Sequence, residues 1–169
     1  MLNILDWRLD LYKMGLLAIV RIKGTVKANE EIKDTLYLLR LRRNNYAVIM
    51  KDTKDIRGMI KKVEPWVAWG EIDKETLKEL LLKRGRLEGN KRLTEDYIKQ
   101  TLNMDIDTFV EKLLNNEIDL DSIPKIKKIF RLKPPSKGYP RKGIKVPYNQ
   151  GGAYGYYGKD INILLKKMI

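Results

Sequence analysis

The chain has 169 residues, 43% of them hydrophobic, and a formal net charge of +13, with neither Cys nor His. That length suits one domain, or one domain with extensions, and a real core, while the missing residue types exclude disulfides, thiolate metal sites, thiol nucleophiles and the commonest general base. The two serines, Ser122 and Ser136, lie in no nucleophile-elbow context and no acidic pair is spaced for a metal, so no catalysis, cofactor or small-molecule substrate is expected.

Residues 1–13 form a short amphipathic patch, expected to be an N-terminal extension or a misassigned start, with Met14 the true beginning. Residues 16–23 predict a strand. Leu16, Ala18, Val20 and Ile22 fall on one face by period two, with Arg21 and Lys23 on the other. Gly24 stops it, and Asn29 reads as a helix cap with Glu30 and Glu31 in the first turn, where the helix dipole favours them. Ile32, Leu36, Leu39 and Arg43 recur at helical spacing, which predicts a helix carrying Arg40, Arg42 and Arg43 at its negative end.

Asn44-Asn45 signals a turn before a second strand at 46–50. Asp52 or Thr53 can cap a second helix with the apolar stripe Ile56, Met59, Ile60 and Val63, ended by Pro65. Within it Gly58 costs ~1 kcal/mol of helix propensity, which fits another backbone approaching beside Arg57, or simple packing of the helix on the sheet. Residues 66–70 predict the third strand, on which Trp66 and Trp69 would point to opposite faces, one into the core and one to an interface. Strand, helix, strand, helix, strand over 14–72 predicts an α+β unit, a small sheet with two helices covering one face.

From Asp73 a further helix carries Leu77, Leu80, Leu81 and Leu82 and breaks in a basic loop holding Lys83, Arg84, Arg86, Lys91 and Arg92. Two short helical patterns follow, at 94–100 and 105–115, within a helical, partly acidic module over 73–121 whose stretch 93–121 holds eight acids against Lys99 and Lys112, the wrong sign for facing phosphate. It is expected to point away from nucleic acid or to meet a basic neighbour. Residues 123–132 alternate loosely and suggest one more strand, and 160–168 form a terminal amphipathic helix docking back on the body.

Between Ser122 and Lys159 there is no acid, while ten positions are cationic. Residues 122–169 hold 12 basic and 1 acidic residue against 23 and 21 in the rest of the chain, so the positive charge is concentrated in the last third. Pro134, Pro135, Pro140 and Pro147 keep this stretch extended, glycines let it turn, and tyrosines supply flat faces. Such a ribbon suits a phosphate backbone with unstacked bases nearby; its cations lie on no amphipathic helix, and no apolar run reaches the ~18 residues of a bilayer span. A soluble, cytoplasmic protein with no membrane partner is therefore expected. Gly152-Ala-Tyr-Gly155-Tyr-Tyr-Gly158-Lys159-Asp160 lacks the Ser or Thr of a phosphate-binding loop, and a bare GXXG at Gly152–Gly155 is a weak clamp signal.

Thr35-Leu-Tyr-Leu-Leu-Arg-Leu41, Ile56-Arg-Gly-Met-Ile-Lys-Lys-Val63, Trp69-Gly-Glu71, Arg131-Leu-Lys-Pro-Pro135 and Gln150-Gly-Gly152 through Gly158 with Ile161-Asn162 resemble the large-subunit ribosomal protein L-thirty family. The resemblance is to its long archaeal form, similar to eukaryotic L-seven, and runs from about Met14 to the C-terminus. It implies a structural rRNA-binding role in the large subunit among neighbouring ribosomal proteins. It also implies a ferredoxin-like-related domain whose three-stranded antiparallel sheet has the first strand in the middle.

The expected RNA contacts are Arg40, Arg42, Arg43, Arg57, Lys61 and Lys62 on the small domain, Lys83, Arg84 and Arg86 on the basic loop, and Arg131, Lys133, Lys137, Arg141, Lys142, Lys145 and Lys159 on the ribbon. Tyr148, Tyr154, Tyr156 and Tyr157 are expected to stack on extruded bases. An RNA chaperone or an RNA-binding accessory subunit acting outside the ribosome would share this charge pattern.

Overall fold

The computed structural model describes residues 15–169, so the expectation about residues 1–13 lies outside it. Eleven elements order it: β1 (Leu16–Arg21), α1 (Glu30–Leu38), β2 (Tyr46–Lys51), α2 (Lys54–Val63), β3 (Val67–Glu71), α3 (Lys74–Arg84), α4 (Glu95–Leu102), α5 (Ile106–Leu114), β4 (Phe130–Arg131), β5 (Gly155–Tyr156) and α6 (Ile161–Met168). The sheet runs β4-β2-β1-β3-β5. Its centre is antiparallel with β1 in the middle, Ile19 standing opposite both Val48 and Trp69. The sheet has five strands and not three, because the late chain adds a short strand to each edge: β4 antiparallel to β2 and β5 parallel to β3. Both additions cover edges that would otherwise present unpaired N–H and C=O groups.

All six residues of β1 are buried, which corrects the expectation of one apolar and one polar face. Leu17 and Ile19 pack with Leu36, Leu39, Ile60 and Val63 of the α1/α2 layer. Leu16, Ala18 and Val20 face the opposite way, into a larger cluster with Leu77, Leu81, Phe109, Val110, Phe130, Ile161 and Leu165. The two expected helices do cover one face; α3, α5 and α6 contribute to covering the other. Fully burying one such side chain stabilises by about 1.5–3 kcal/mol, so the acidic module and the C-terminal ribbon are parts of the core and not appendages.

Helix starts are legible as capped. Ile32 N–H donates to Asn29 Oδ1 at 3.0 Å and Ile56 N–H to Thr53 Oγ1 at 3.2 Å. Thr76 N–H donates to Asp73 Oδ1 at 2.8 Å and Tyr97 N–H to Thr94 Oγ1 at 3.2 Å. The end of α1 departs from expectation: the helix stops at Leu38 and Arg40 turns left-handed at φ 64°. Leu41 N–H then reaches back to Leu36 C=O at 2.9 Å and Arg40 N–H to Tyr37 C=O at 2.9 Å, while Leu36 and Leu41 bury together. That is a Schellman closure with arginine in the position glycine usually fills. Arg40, Arg42 and Arg43 therefore lie on the loop beyond the helix.

Trp66 sits in a 3-10 turn (Glu64–Trp66) before β3, and both Trp66 and Trp69 pack against the α1/α2-side cluster. The opposite-face expectation fails because Trp66 is not on the strand. Gly58 is exposed with nothing within 4 Å of where a Cβ would stand, so among the described residues neither close backbone approach nor packing on the sheet explains it. Gly58→Ala is accordingly expected to stabilise the protein by about 1 kcal/mol in urea denaturation, with an unchanged or lower value counting against a strain-free helical site.

One side chain fastens the start of the C-terminal helix. Buried Asn162 donates through Nδ2 to Glu71 C=O at 3.1 Å and Lys159 C=O at 2.8 Å, and its Oδ1 accepts from Asp73 N–H at 3.0 Å. It thus joins the end of β3, the cap of α3 and the start of α6. None of the described helices is long and apolar enough to cross a membrane.

Candidate nucleic-acid interface

Main-chain hydrogen bonds stitch together three segments far apart in sequence. The loop after α3 pairs with the chain before β4: Glu88 N–H donates to Lys125 C=O and Lys127 N–H to Arg86 C=O, each at 2.8 Å. β4 then pairs with β2, setting Arg131 opposite Tyr46, and Leu132 N–H donates to Asn45 C=O at 3.0 Å. The loop after α1, carrying Arg40, Arg42 and Arg43, closes the third side.

Between them lies a concavity of about 660 Å³ lined by Arg40, Arg42, Arg43, Arg86, Lys127, Lys128 and Arg131, with Tyr46, Asn90, Ile126 and Ile129. No carboxylate lines it. Lys128 is held at its edge by Asp121 at 2.6 Å, and Arg42 lies 4.3 Å over the Tyr37 ring. Arg40, Arg43 and Arg131 are exposed and make no ion pair among the described residues. Like charges at this density raise one another's energy, and an anion entering the basin relieves all of them at once.

Other expected contacts lie elsewhere. Arg57 is clasped by Asp52 through two hydrogen bonds, Nε to Oδ1 at 2.5 Å and Nη2 to Oδ2 at 2.6 Å, which raise its pKa; it also lies 5.7 Å from the Trp69 ring centroid. Lys62 pairs with Glu31 at 3.3 Å and Lys83 with Glu79 at 2.6 Å, while Lys61 is exposed on the last turn of α2. Arg84 donates to Ile169 C=O at 2.9 Å, tying α3 to the chain's end. None of these five lines the basin.

The ribbon is fastened down along its length. Lys133 N–H donates to Met168 C=O at 2.9 Å, Ser136 N–H to Lys167 C=O at 3.0 Å, and Tyr139 Oη to Asn45 Oδ1 at 3.4 Å. Lys133, Lys137, Arg141, Lys142, Lys145 and Lys159 stay exposed on it, outside the basin.

The tyrosines make contacts within the chain, although Tyr156 stays 47% exposed. Tyr148 and Tyr157 stack at 3.8 Å with planes 13° apart; Tyr148 Oη donates to Asp160 at 2.8 Å and Tyr157 Oη to Ala153 C=O at 2.6 Å. Burial drives the Tyr157 hydroxyl pKa well above the ordinary tyrosine value. Tyr156 lies 4.6 Å from Trp69 and donates to Glu71 at 2.6 Å; burial, then that bond, push its pKa up to about 12. Tyr154 packs, partly buried, against the larger cluster. The acidic module meets basic neighbours inside the same chain, with Glu111 on Lys74 at 2.5 Å, Asp107 on Lys78 at 2.9 Å and Asp119 on Lys51 at 2.6 Å.

Lys127, Lys128, Tyr46 and Asn90 are basin residues that sequence reasoning did not single out. The acid-free stretch contains both lysines, but charge density alone cannot tell which cations converge. Among the described residues no group of three or more His, Cys, Asp or Glu could hold a metal.

Comparison with known proteins gives a consistent picture. A family model described as ribosomal protein L30p/L7e matches residues 17–67. The chain is 49% identical over 152 residues to the large ribosomal subunit protein uL30 of Methanococcus maripaludis, covering 90% of this chain and 98% of the relative. To the protein of that name from Nanoarchaeum equitans it is 47% identical over 156 residues, covering 92% and 100%. For Methanoculleus marisnigri the figures are 49% over 152 residues, 89% and 98%.

Proposed function

The chain belongs to the ribosomal protein L30p/L7e family, and from that premise we propose that it is a structural, non-catalytic constituent of the large ribosomal subunit that binds and stabilises rRNA. The observation that carries the mechanism is the carboxylate-free basin, in which segments 40–46, 86–90 and 126–131 bring seven cations to one concavity. Arginine and lysine on a rigid scaffold hold RNA by its phosphates and sugars, fixing shape and register without reading bases.

In this reading 14–72 is the L30-like domain, its three central strands and two helices forming the ferredoxin-like-related unit. Residues 73–121 are a partly acidic helical module, and 122–169 the basic segment with its terminal helix. The exposed cations from Lys133 to Lys159, outside the basin, serve as outlying phosphate contacts. The internally stacked tyrosines brace the segment. Large-subunit rRNA and neighbouring ribosomal proteins are the partners, and the ribosome in the cytoplasm is the location.

Sedimentation of a cell extract through sucrose tests this. The chain is expected in the large-subunit peak at moderate salt and is released as salt rises, because each neutralised phosphate has displaced a counterion. Recovery only on free RNA, away from subunits, would instead indicate an RNA chaperone or accessory subunit.

A further inference from the structure

Arg21, at the end of β1, is 6% exposed. Its guanidinium donates from Nε to Lys23 C=O at 3.0 Å, from Nη1 to Leu41 C=O at 3.1 Å and from Nη2 to Thr25 Oγ1 at 3.2 Å. A guanidinium carries five N–H donors, so one on each terminal nitrogen has no acceptor among the described residues. No carboxylate among the described residues pairs with it either, in contrast to Arg57 with Asp52. Burial lowers its pKa. A buried charge is ordinarily paired, because leaving it alone costs several kcal/mol.

This side chain lines another concavity, of about 260 Å³, walled by Thr25, Lys33, Leu36, Tyr37, Leu41 and Arg42. Its walls add two more cations and no acid. Lys33 reaches Glu30 at 3.1 Å on the exposed surface of α1, and Arg42 is shared with the basin.

We propose that the concavity beside Arg21 is a dedicated phosphate site, in which the two unused guanidinium N–H groups, with Arg42 and Lys33, hold one phosphodiester of the bound rRNA. A phosphate is the matching acceptor: its oxygens accept two parallel N–H bonds from a fork, and its charge supplies the missing counterion. The site rests on the rRNA-binding reading above. It adds a buried anchor to that reading, where the basin offers exposed contacts.

The test follows the Arg21 Nε–Hε NMR signal of the full chain, titrated with inorganic phosphate against chloride at matched ionic strength. A saturable shift specific to phosphate is expected, and it disappears in the complex with a large-subunit rRNA fragment that the chain protects from cleavage. Arg21→Lys keeps a charge but loses the fork and should weaken binding of that fragment about tenfold. Lys33→Gln, on the exposed rim, should weaken the phosphate response without altering the fold, should R21K fail to fold. No phosphate-specific shift in the free protein overturns the site. A shift that persists unchanged in the rRNA complex assigns the pocket to free phosphate and overturns the RNA source. Loss of rRNA binding with the phosphate shift intact locates the failure in the rRNA reading, and not in the pocket.

Discussion

Gly152→Ala is expected to unfold the C-terminal segment and to cost about 4 kcal/mol or more, a large share of the ~5–15 kcal/mol that holds a domain of this size together. An added Cβ would stand 1.7 Å from the Val146 carbonyl oxygen and 2.2 Å from its carbon. Both are backbone atoms, and neither can swing away. The loop around them is closed by short main-chain bonds: Ala153 N–H to Val146 C=O and Gly152 N–H to Pro147 C=O, each 2.9 Å, and Tyr148 N–H to Tyr154 C=O at 2.7 Å. Opening this loop displaces Ala153 and Tyr157 from the main cluster and loosens β5 from β3. Urea denaturation should show a midpoint far below the parent's, and limited proteolysis should cut within 140–160. Gly143→Ala is the control: it has a positive φ of 75° but open space, and so should cost only about 1 kcal/mol. A G152A protein as stable as the parent would show that the loop is not closed in this way. Gly152 is thus needed for the close approach of its backbone to that of Val146, which the bare GXXG spacing could not reveal.

Neutralising the basin should produce the largest loss of binding. In Arg40→Gln/Arg43→Gln/Arg131→Gln, three exposed arginines without ion pairs among the described residues lose their charge, and none belongs to the buried clusters. At about 1 kcal/mol per phosphate contact the affinity for large-subunit rRNA should fall roughly a hundredfold near 0.1 M salt. The slope of log affinity against log salt should flatten by about 2 to 3, one counterion per lost contact. The matched control is Lys74→Gln/Lys78→Gln, where the lysines already face Glu111 and Asp107. Their removal should leave the slope alone. Equal effects from both variants would show that binding follows net charge and not the basin. Deleting whole segments is a poorer comparison, because 93–121 contributes Phe109, Val110 and Leu113 to the core and 134–159 contributes Ala153 and Tyr157.

Local features were readable because their causes are local. Asn29, Thr53, Asp73 and Thr94 cap helices through bonds spanning three residues, so the sequence places those starts unaided. The stripe Ile56, Met59, Ile60 and Val63 likewise fixes the inner face of α2, and the concentration of positive charge in the last third is a matter of composition. Arg40 marks where this stops: an arginine carries no signal for a left-handed turn, and it holds one because Leu36 and Leu41 bury together across the helix end.

Only the tertiary structure decided which cations converge, which tyrosines face inward and how many strands the sheet has. Each depends on contacts between segments tens of residues apart, such as Glu88 with Lys125, Tyr46 with Arg131 and Trp69 with Tyr156. Composition pointed to an anionic partner. Which cations converge is set by main-chain pairing and by burial, whose energies come from closing the whole core and have no signature in any short stretch of sequence.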